Sequence, residues 1–195
     1  MRTSMRFLCV ALCGLAGTAA AAPRWKLGFT HGPMEWIAVT SPLGDTTVYH
    51  YLTYKITNGT GAPRKLVLDI RIVTDVDRTV LEGYYPQAEA RIETALRKDF
   101  KNVQELRGME LADGSSVEGL AIFKDVPPVA HVLDTRVNGI IDLVTWENGK
   151  NYAEKKVWSM KFTRRGDEYE RQDDLIRLKE EGWVVEGEKK EIKYR

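Results

Sequence analysis

The chain has 195 residues, 43% of them hydrophobic and 29% charged, with 29 basic against 28 acidic side chains. That balance suits a folded domain and excludes a chain dominated by a disordered charged tail. It also excludes uniform electrostatic attraction to nucleic acid or acidic lipid as the basis of function.

The first residues read as an export leader. Arg2 and Arg6 form a basic start, Phe7 to Leu15 a short apolar run, and Ala16 to Ala22 a stretch of small residues suited to cleavage after Ala20 or Ala21. The predicted organisation is a signal peptide over 1–21, a β-sandwich domain over 22–165 and a charged C-terminal extension over 166–195 docked on the sandwich. An uncleaved anchor is the lesser alternative. Removing Arg2 and Arg6 leaves 27 basic against 28 acidic groups, a formal charge of −1. No later stretch approaches the roughly 20 apolar residues of a spanning helix, so no membrane span is expected in the mature chain. Cys9 and Cys13 are the only cysteines and both lie in the leader. The mature chain therefore has no thiol for catalysis, disulfides or cysteine-based metal sites. Leu12 before Cys13 argues against lipidation there.

Downstream, short segments of alternating polarity are separated by turn residues, which is an all-β rhythm. Strands are expected at Trp25 to Phe29, Glu35 to Val39 and Val48 to Thr57. In the last, Val48, His50, Leu52, Tyr54 and Ile56 share the inward face and Tyr49, Tyr51, Thr53 and Lys55 the other. The turn Asn58-Gly59-Thr60-Gly61 and Pro63 lead to Leu66, Leu68, Ile70 and Ile72, which predicts a hairpin. Further strands fit Val117 to Phe123, Ala130 to Val137, Ile140 to Trp146 and Lys155 to Thr163, the last placing Trp158, Met160 and Phe162 on one face. Pro86 to Lys98 breaks the rhythm with Ala88, Ile92, Ala95 and Leu96 at helical spacing. Asp174 to Glu181 suits either helix or strand, and Trp183 to Lys193 suits a hairpin turning at Glu186-Gly187-Glu188. About seven or more strands without helices between them favour two packed antiparallel sheets over a parallel α/β sheet.

The run Tyr51-Leu-Thr-Tyr-Lys-Ile-Thr-Asn58, the apolar strand up to Thr74 and Gly114-Ser-Ser-Val-Glu-Gly-Leu-Ala-Ile-Phe123 resemble the immunoglobulin-like sandwich domains of uncharacterised secreted bacterial proteins. The resemblance covers roughly residues 35 to 145 and lacks the cysteine pair of antibody-type domains. It implies an immunoglobulin-like antiparallel β-sandwich with one short inserted helix and an extracytoplasmic setting, without supplying an activity.

Most catalytic chemistries lack their residues. His31, His50 and His131 are the only histidines and none has metal-ligand spacing; His31 near Met34 gives the one hint of a soft-metal contact. Ser41 and Ser116 lack the Gly-x-Ser-x-Gly elbow, and no phosphate loop or dinucleotide fingerprint is present. Asp75 and Asp77 suit a cation site or a glycosidase pair less well than a solvated turn. Asn58-Gly59-Thr60 matches a glycosylation acceptor and Arg165-Gly166-Asp167 an integrin-type tripeptide, but a turn accounts for each.

No cofactor or metal and no enzymatic activity are therefore expected. The expected role is protein binding or envelope assembly, with an envelope or extracellular protein as partner. The C-terminal segment is the candidate sheet edge, although its lysines and glutamates favour protection over recruitment. The alternative partner is a glycan stacked on the loop aromatics Tyr84, Tyr85 and Trp146.

Overall fold

Strands β1 (Ala22–Lys26) and β2 (Gly28–Thr40) are separated only by Leu27, whose side chain is buried and whose N–H donates to Ile140 O at 2.9 Å. The computed structural model describes residues 22–147, 150–164 and 176–192. The expected leader over 1–21, the Arg165-Gly166-Asp167 tripeptide and the start of the Asp174 to Glu181 segment lie outside the described residues.

β2 runs antiparallel to β3 (Thr46–Thr57), from Gly28 opposite Thr57 to Thr40 opposite Thr46, with one irregularity between His31 and Met34. Gly32-Pro33 fills that irregularity, so one bent strand replaces the two shorter ones read from the sequence. β3 pairs on its other side with β8 (Ser116–Lys124), closing a three-stranded sheet.

The predicted hairpin after β3 does not form. Asn58 is fully buried, its Nδ2 donates to Ala62 O and Leu111 O, both at 2.8 Å, and its Oδ1 accepts from Thr60 N and Oγ1. These bonds turn the chain away from β3 into β4 (Arg64–Lys65), and β5 (Asp69–Thr74) enters the opposite sheet. The same bonds use both hydrogens of the Asn58 amide, so the folded protein cannot present it for glycosylation.

β5 pairs with β6 (Thr79–Leu81) and with β9 (Val132–Asn138), and β9 with β12 (Lys156–Thr163). β13 (Arg177–Val185) completes a five-stranded antiparallel sheet in the order β13-β12-β9-β5-β6. Its inner side chains, among them Ile70, Ile72, Leu133, Val137, Met160 and Phe162, meet Leu52, Tyr54, Ile56, Ala121 and Phe123 of the three-stranded sheet in the main core. The chain is thus all-β in class, with its sheets antiparallel.

α1 (Pro86–Leu96) is the expected inserted helix. Pro86 opens it and Arg97 ends it in the left-handed region at φ 53°, with its N–H bonded to Glu93 O. Ala88 and Ile92 pack on Tyr51, Leu120, Ile122 and Val39, covering the outer face of the three-stranded sheet. β3 and β8 are therefore buried on both faces. A single helical turn, α2 (Val103–Leu106), follows, with Asn102 and Glu105 forming a reciprocal capping box.

A smaller sheet, β1-β10-β11-β14, unites β1 with β10 (Ile141–Glu147), β11 (Lys150–Glu154) and β14 (Lys190–Glu191). β7 (Glu110–Leu111) pairs with β4. The hairpin expected at Glu186-Gly187-Glu188 is a crossing instead, because β13 pairs with β12 while β14 pairs with β11. Glu186 anchors this crossing: its carboxylate accepts from Arg71 Nη2 (2.5 Å), Arg136 Nη1 (3.1 Å) and Lys155 Nζ (2.6 Å). Asp69 pairs with Arg71, and Asp134 binds both Arg136 and Ser159 Oγ. Bonding to Arg71 is the main cause holding the Glu186 carboxyl down at about 2, with Lys155 and Arg136 acting in the same direction. A lowered carboxyl stabilises the fold above the unfolded value near 4.5, and that contribution is lost as pH falls toward 2. Glu186→Gln is expected to cost about 1–2 kcal/mol at pH 7, after allowance for solvent screening, and little at pH 2.5. Urea titrations of both proteins across that range check this.

Candidate binding cleft

At one end of the sandwich the two sheets part. The inner face of the β2–β3 pair, buried further along as Met34, Leu52 and Ile56, here carries Trp36 and Val48, which are 39% and 42% exposed. Together with Val126, Pro128 and Ile176 they form the apolar wall of a cleft of about 500 Å³. Its polar lining comes from Thr46, Thr47, His50, Lys124, Asp125 and Arg164.

His50 is buried, as its place on the inward face of β3 predicts, and stands opposite Trp36 on one side and Phe123 on the other. Its Nε2 lies 3.2 Å from Arg164 Nη1. A guanidinium only donates, so Nε2 is the acceptor and the imidazole proton is on Nδ1. Arg164 Nε also donates to Ala130 O at 2.6 Å, and Nη2 donates to Pro128 O at 3.0 Å and to Pro127 O. One cationic side chain thereby fixes the Pro127 to Ala130 loop at the cleft mouth.

The aromatics singled out in the sequence occupy separate places. Tyr84 is 41% exposed in the β6–α1 connection. Tyr85 is half-buried, its ring 5.1 Å from that of Tyr49. Burial, followed by the charge of Asp125, pushes its hydroxyl pKa up, which places Tyr85 within electrostatic reach of the strand end that lines the cleft. Trp146 pairs through its backbone with Asn151 in the smaller sheet, and its side chain lies outside the described residues. Tyr84 and Tyr85 are thus neighbours, and Trp146 belongs to a different sheet.

Other chemistry-bearing groups serve local structure. Asp75 accepts from the His131 N–H at 3.1 Å, and Asp77 takes φ 55° in the tight Thr74–Arg78 turn. His31 Nε2 meets Glu181 Oε2 at 2.9 Å and Nδ1 meets Gly32 O at 2.6 Å, tying the first half of β2 to β13. Among the described residues no three His, Cys, Asp or Glu side chains group as metal ligands. No described helix is long and apolar enough to cross a membrane.

Glu82 is an acid whose environment favours its neutral form. It lines a void of about 10 Å³ with Tyr54, Leu68, Val103, Leu106 and Arg107, too small for a ligand. Its Oε2 is shielded and has no hydrogen-bond partner among the described residues, and burial pushes its pKa up to about 7. A raised carboxyl favours the fold while protonated, so stability falls as pH rises from 4.5 to 7. Glu82→Gln is expected to gain about 2 kcal/mol at pH 8 and almost nothing at pH 4.5, read by thermal unfolding at the two pH values.

The second feature of this end is an open sheet edge. β2 is the last strand of its sheet and, among the described residues, hydrogen-bonds as a strand only to β3. Its first half lies beside β13, whereas Met34 to Thr40 continues past it to the cleft. That stretch, Met-Glu-Trp-Ile-Ala-Val-Thr, holds one charged residue, Glu35, which accepts a hydrogen bond from Tyr51. β13 is the opposite case, since Arg177, Lys179, Glu180 and Glu181 are spaced along it. Sequence reasoning weighed the C-terminal edge and passed over β2, because Gly32-Pro33 splits its pattern. His50 was visible in the alternation of β3; Trp36 lies in the strand expected at Glu35 to Val39 without a face assigned to it, and Arg164 gave no signal before the fold placed it. The chain matches no protein-family model, no curated protein and no solved structure.

Proposed function

We propose that the protein is an exported, non-catalytic binding module that captures an extended segment of an envelope or extracellular protein along the Met34 to Thr40 edge of β2. The carrying observation is that this edge has no strand partner among the described residues and lacks the lysines that natural edges use against pairing. Strand addition supplies affinity through main-chain bonds, and pockets beside the edge supply specificity by receiving alternate side chains. The cleft under Trp36 and Val48 is such a pocket. The basic and apolar leader supports export, and the resemblance to immunoglobulin-like domains of secreted proteins supports an extracytoplasmic setting.

The test is capture of partners from the native envelope by the mature protein and by an Ala38→Lys, Thr40→Lys variant, with thermal unfolding as a check on folding. Two edge lysines are expected to weaken capture by roughly tenfold while the protein stays folded. Equal capture by a folded variant would overturn the reading.

A second reading is carbohydrate binding, favoured by the exposed Trp36 ring beside Thr46, Thr47 and Asp125. It predicts glycan binding heats that vanish on Trp36→Ala.

A further inference from the structure

Glu82 follows β6 directly, and backbone bonds fix the chain there: its N–H donates to Ile70 O at 3.1 Å and the Gly83 N–H to Ile122 O at 3.0 Å. The backbone is therefore not free to carry the carboxyl outward. Oε2 is shielded from solvent and has no hydrogen-bond partner among the described residues. A neutral carboxyl tolerates such a place far better than a carboxylate, which needs water or a cation. The void beside it, about 10 Å³, is at the lower limit for one water molecule. Water reaches Oε2 in place only if a wall of that void moves.

The walls differ in how firmly they are held. Tyr54 sits on β3, which is paired on both sides, and Leu68 lies just before β5. The remaining wall is Val103, Leu106 and Arg107, from α2 and its C-terminal end. α2 is a single turn, closed by Leu106 N–H to Asn102 O at 3.0 Å and Arg107 N–H to Val103 O at 3.2 Å. So short a helix has little stability of its own and depends on what it packs against. The titratable and charged groups acting on Glu82 among the described residues are Tyr54 of β3, Asp69 of β5 and Arg107 after α2. α1 instead turns Glu89 toward Asn102, and β8 turns Glu118 toward Lys98. Burial is the main influence and favours the neutral form; the Ile70 backbone opposes it, Asp69 adds to it and Arg107 opposes it, which leaves the carboxyl at about 7.

We propose that α2 is a pH-dependent lid over Glu82, closed while the carboxyl is protonated and opened when ionisation draws water into the void. The device goes beyond strand capture and does not depend on it. Lys101, just before α2, bridges Gly119 of β8, so the lid lies at the opposite edge of the three-stranded sheet from β2.

The test is amide hydrogen exchange of the mature protein at about pH 5.5 and about pH 8.5, corrected for the intrinsic pH dependence of exchange. The carboxyl infrared band that Glu82→Gln lacks reports ionisation of Glu82 in the same samples. The Leu106, Arg107 and Gly108 amides are expected to lose protection by roughly tenfold or more over that range, while β9 and β12 remain protected. In Glu82→Gln, neutral at both pH values, the three amides are expected to be equally protected at both. Ionisation of Glu82 without loss of protection at α2 would overturn the proposal, as would the same loss in the glutamine variant or no ionisation up to the higher pH. Loss of protection in every strand together would overturn it as well, because the protein would then be unfolding as a whole. Each of these results leaves the edge-lysine test of strand capture at β2 standing.

Discussion

Gly139→Ala is expected to destabilise the protein by about 3–5 kcal/mol, enough to threaten folding of an ordinary domain. Gly139 lies between β9 of the five-stranded sheet and β10 of the smaller one, and it holds φ at 88°. A Cβ there would sit 2.0 Å from Val67 O and 2.9 Å from Val67 C, a collision with backbone that no rotamer change relieves. The substitution also forces a side chain into the left-handed region. Gly44→Ala is the control, because Gly44 has φ 95° and nothing within 4 Å of a new Cβ. Its cost should be limited to the backbone term, about 1 kcal/mol. Urea unfolding of both variants separates collision from conformational strain, and similar losses would show that the approach of Gly139 to the Val67 backbone matters less than its geometry indicates.

Phe123→Ala is the second large effect, with an expected loss of about 3–5 kcal/mol. Phe123 is fully buried in the main core on β8, opposite His50 of β3. Its neighbours belong to two hydrogen-bonded sheets whose spacing is fixed by the rest of the core, so the space left by the ring stays largely open. The loss should appear as a drop in Tm of about 10 °C, with the slope of unfolding against urea nearly unchanged. A loss below 1 kcal/mol would mean that the two sheets close over the gap. Because Phe123 stands beside His50, the variant should also alter the Trp36 environment, read by fluorescence.

Much of the architecture was legible because strand alternation reports directly which side chains face a core. Leu133, Val137, Met160 and Phe162 are buried as their spacing requires, and the helical spacing of Ala88 and Ile92 marks the face that packs on the sheet. Legibility fails where one residue does two jobs. Tyr49 and Tyr51 read as an outward, half-polar face, yet α1 and its flanking turn cover them. Asn58 reads as a hairpin turn, yet its amide binds Leu111 O, fifty-three residues along the chain, and sends the strand into another sheet. Gly32-Pro33 reads as an end and acts as a bend within β2. The cleft was least legible, because Trp36, His50, Lys124 and Arg164 come from four strands or strand ends and carry no shared spacing. The open edge escaped notice for a related reason: whether a strand is an edge depends on sheet order, which alternation does not encode.

Both the proposed capture site and the cleft follow from one arrangement, in which β2 runs past β13 and, among the described residues, its second half has a strand partner on the β3 side alone. Amide hydrogen exchange over Met34 to Thr40 is the most direct measurement, made on the protein alone at low concentration and on the protein bound to its captured partner. Alternate amides of this stretch should exchange rapidly in the free protein and become protected on binding, while β9 and β12 stay protected throughout. Full protection in the free protein, or no change on binding, would contradict strand capture at β2.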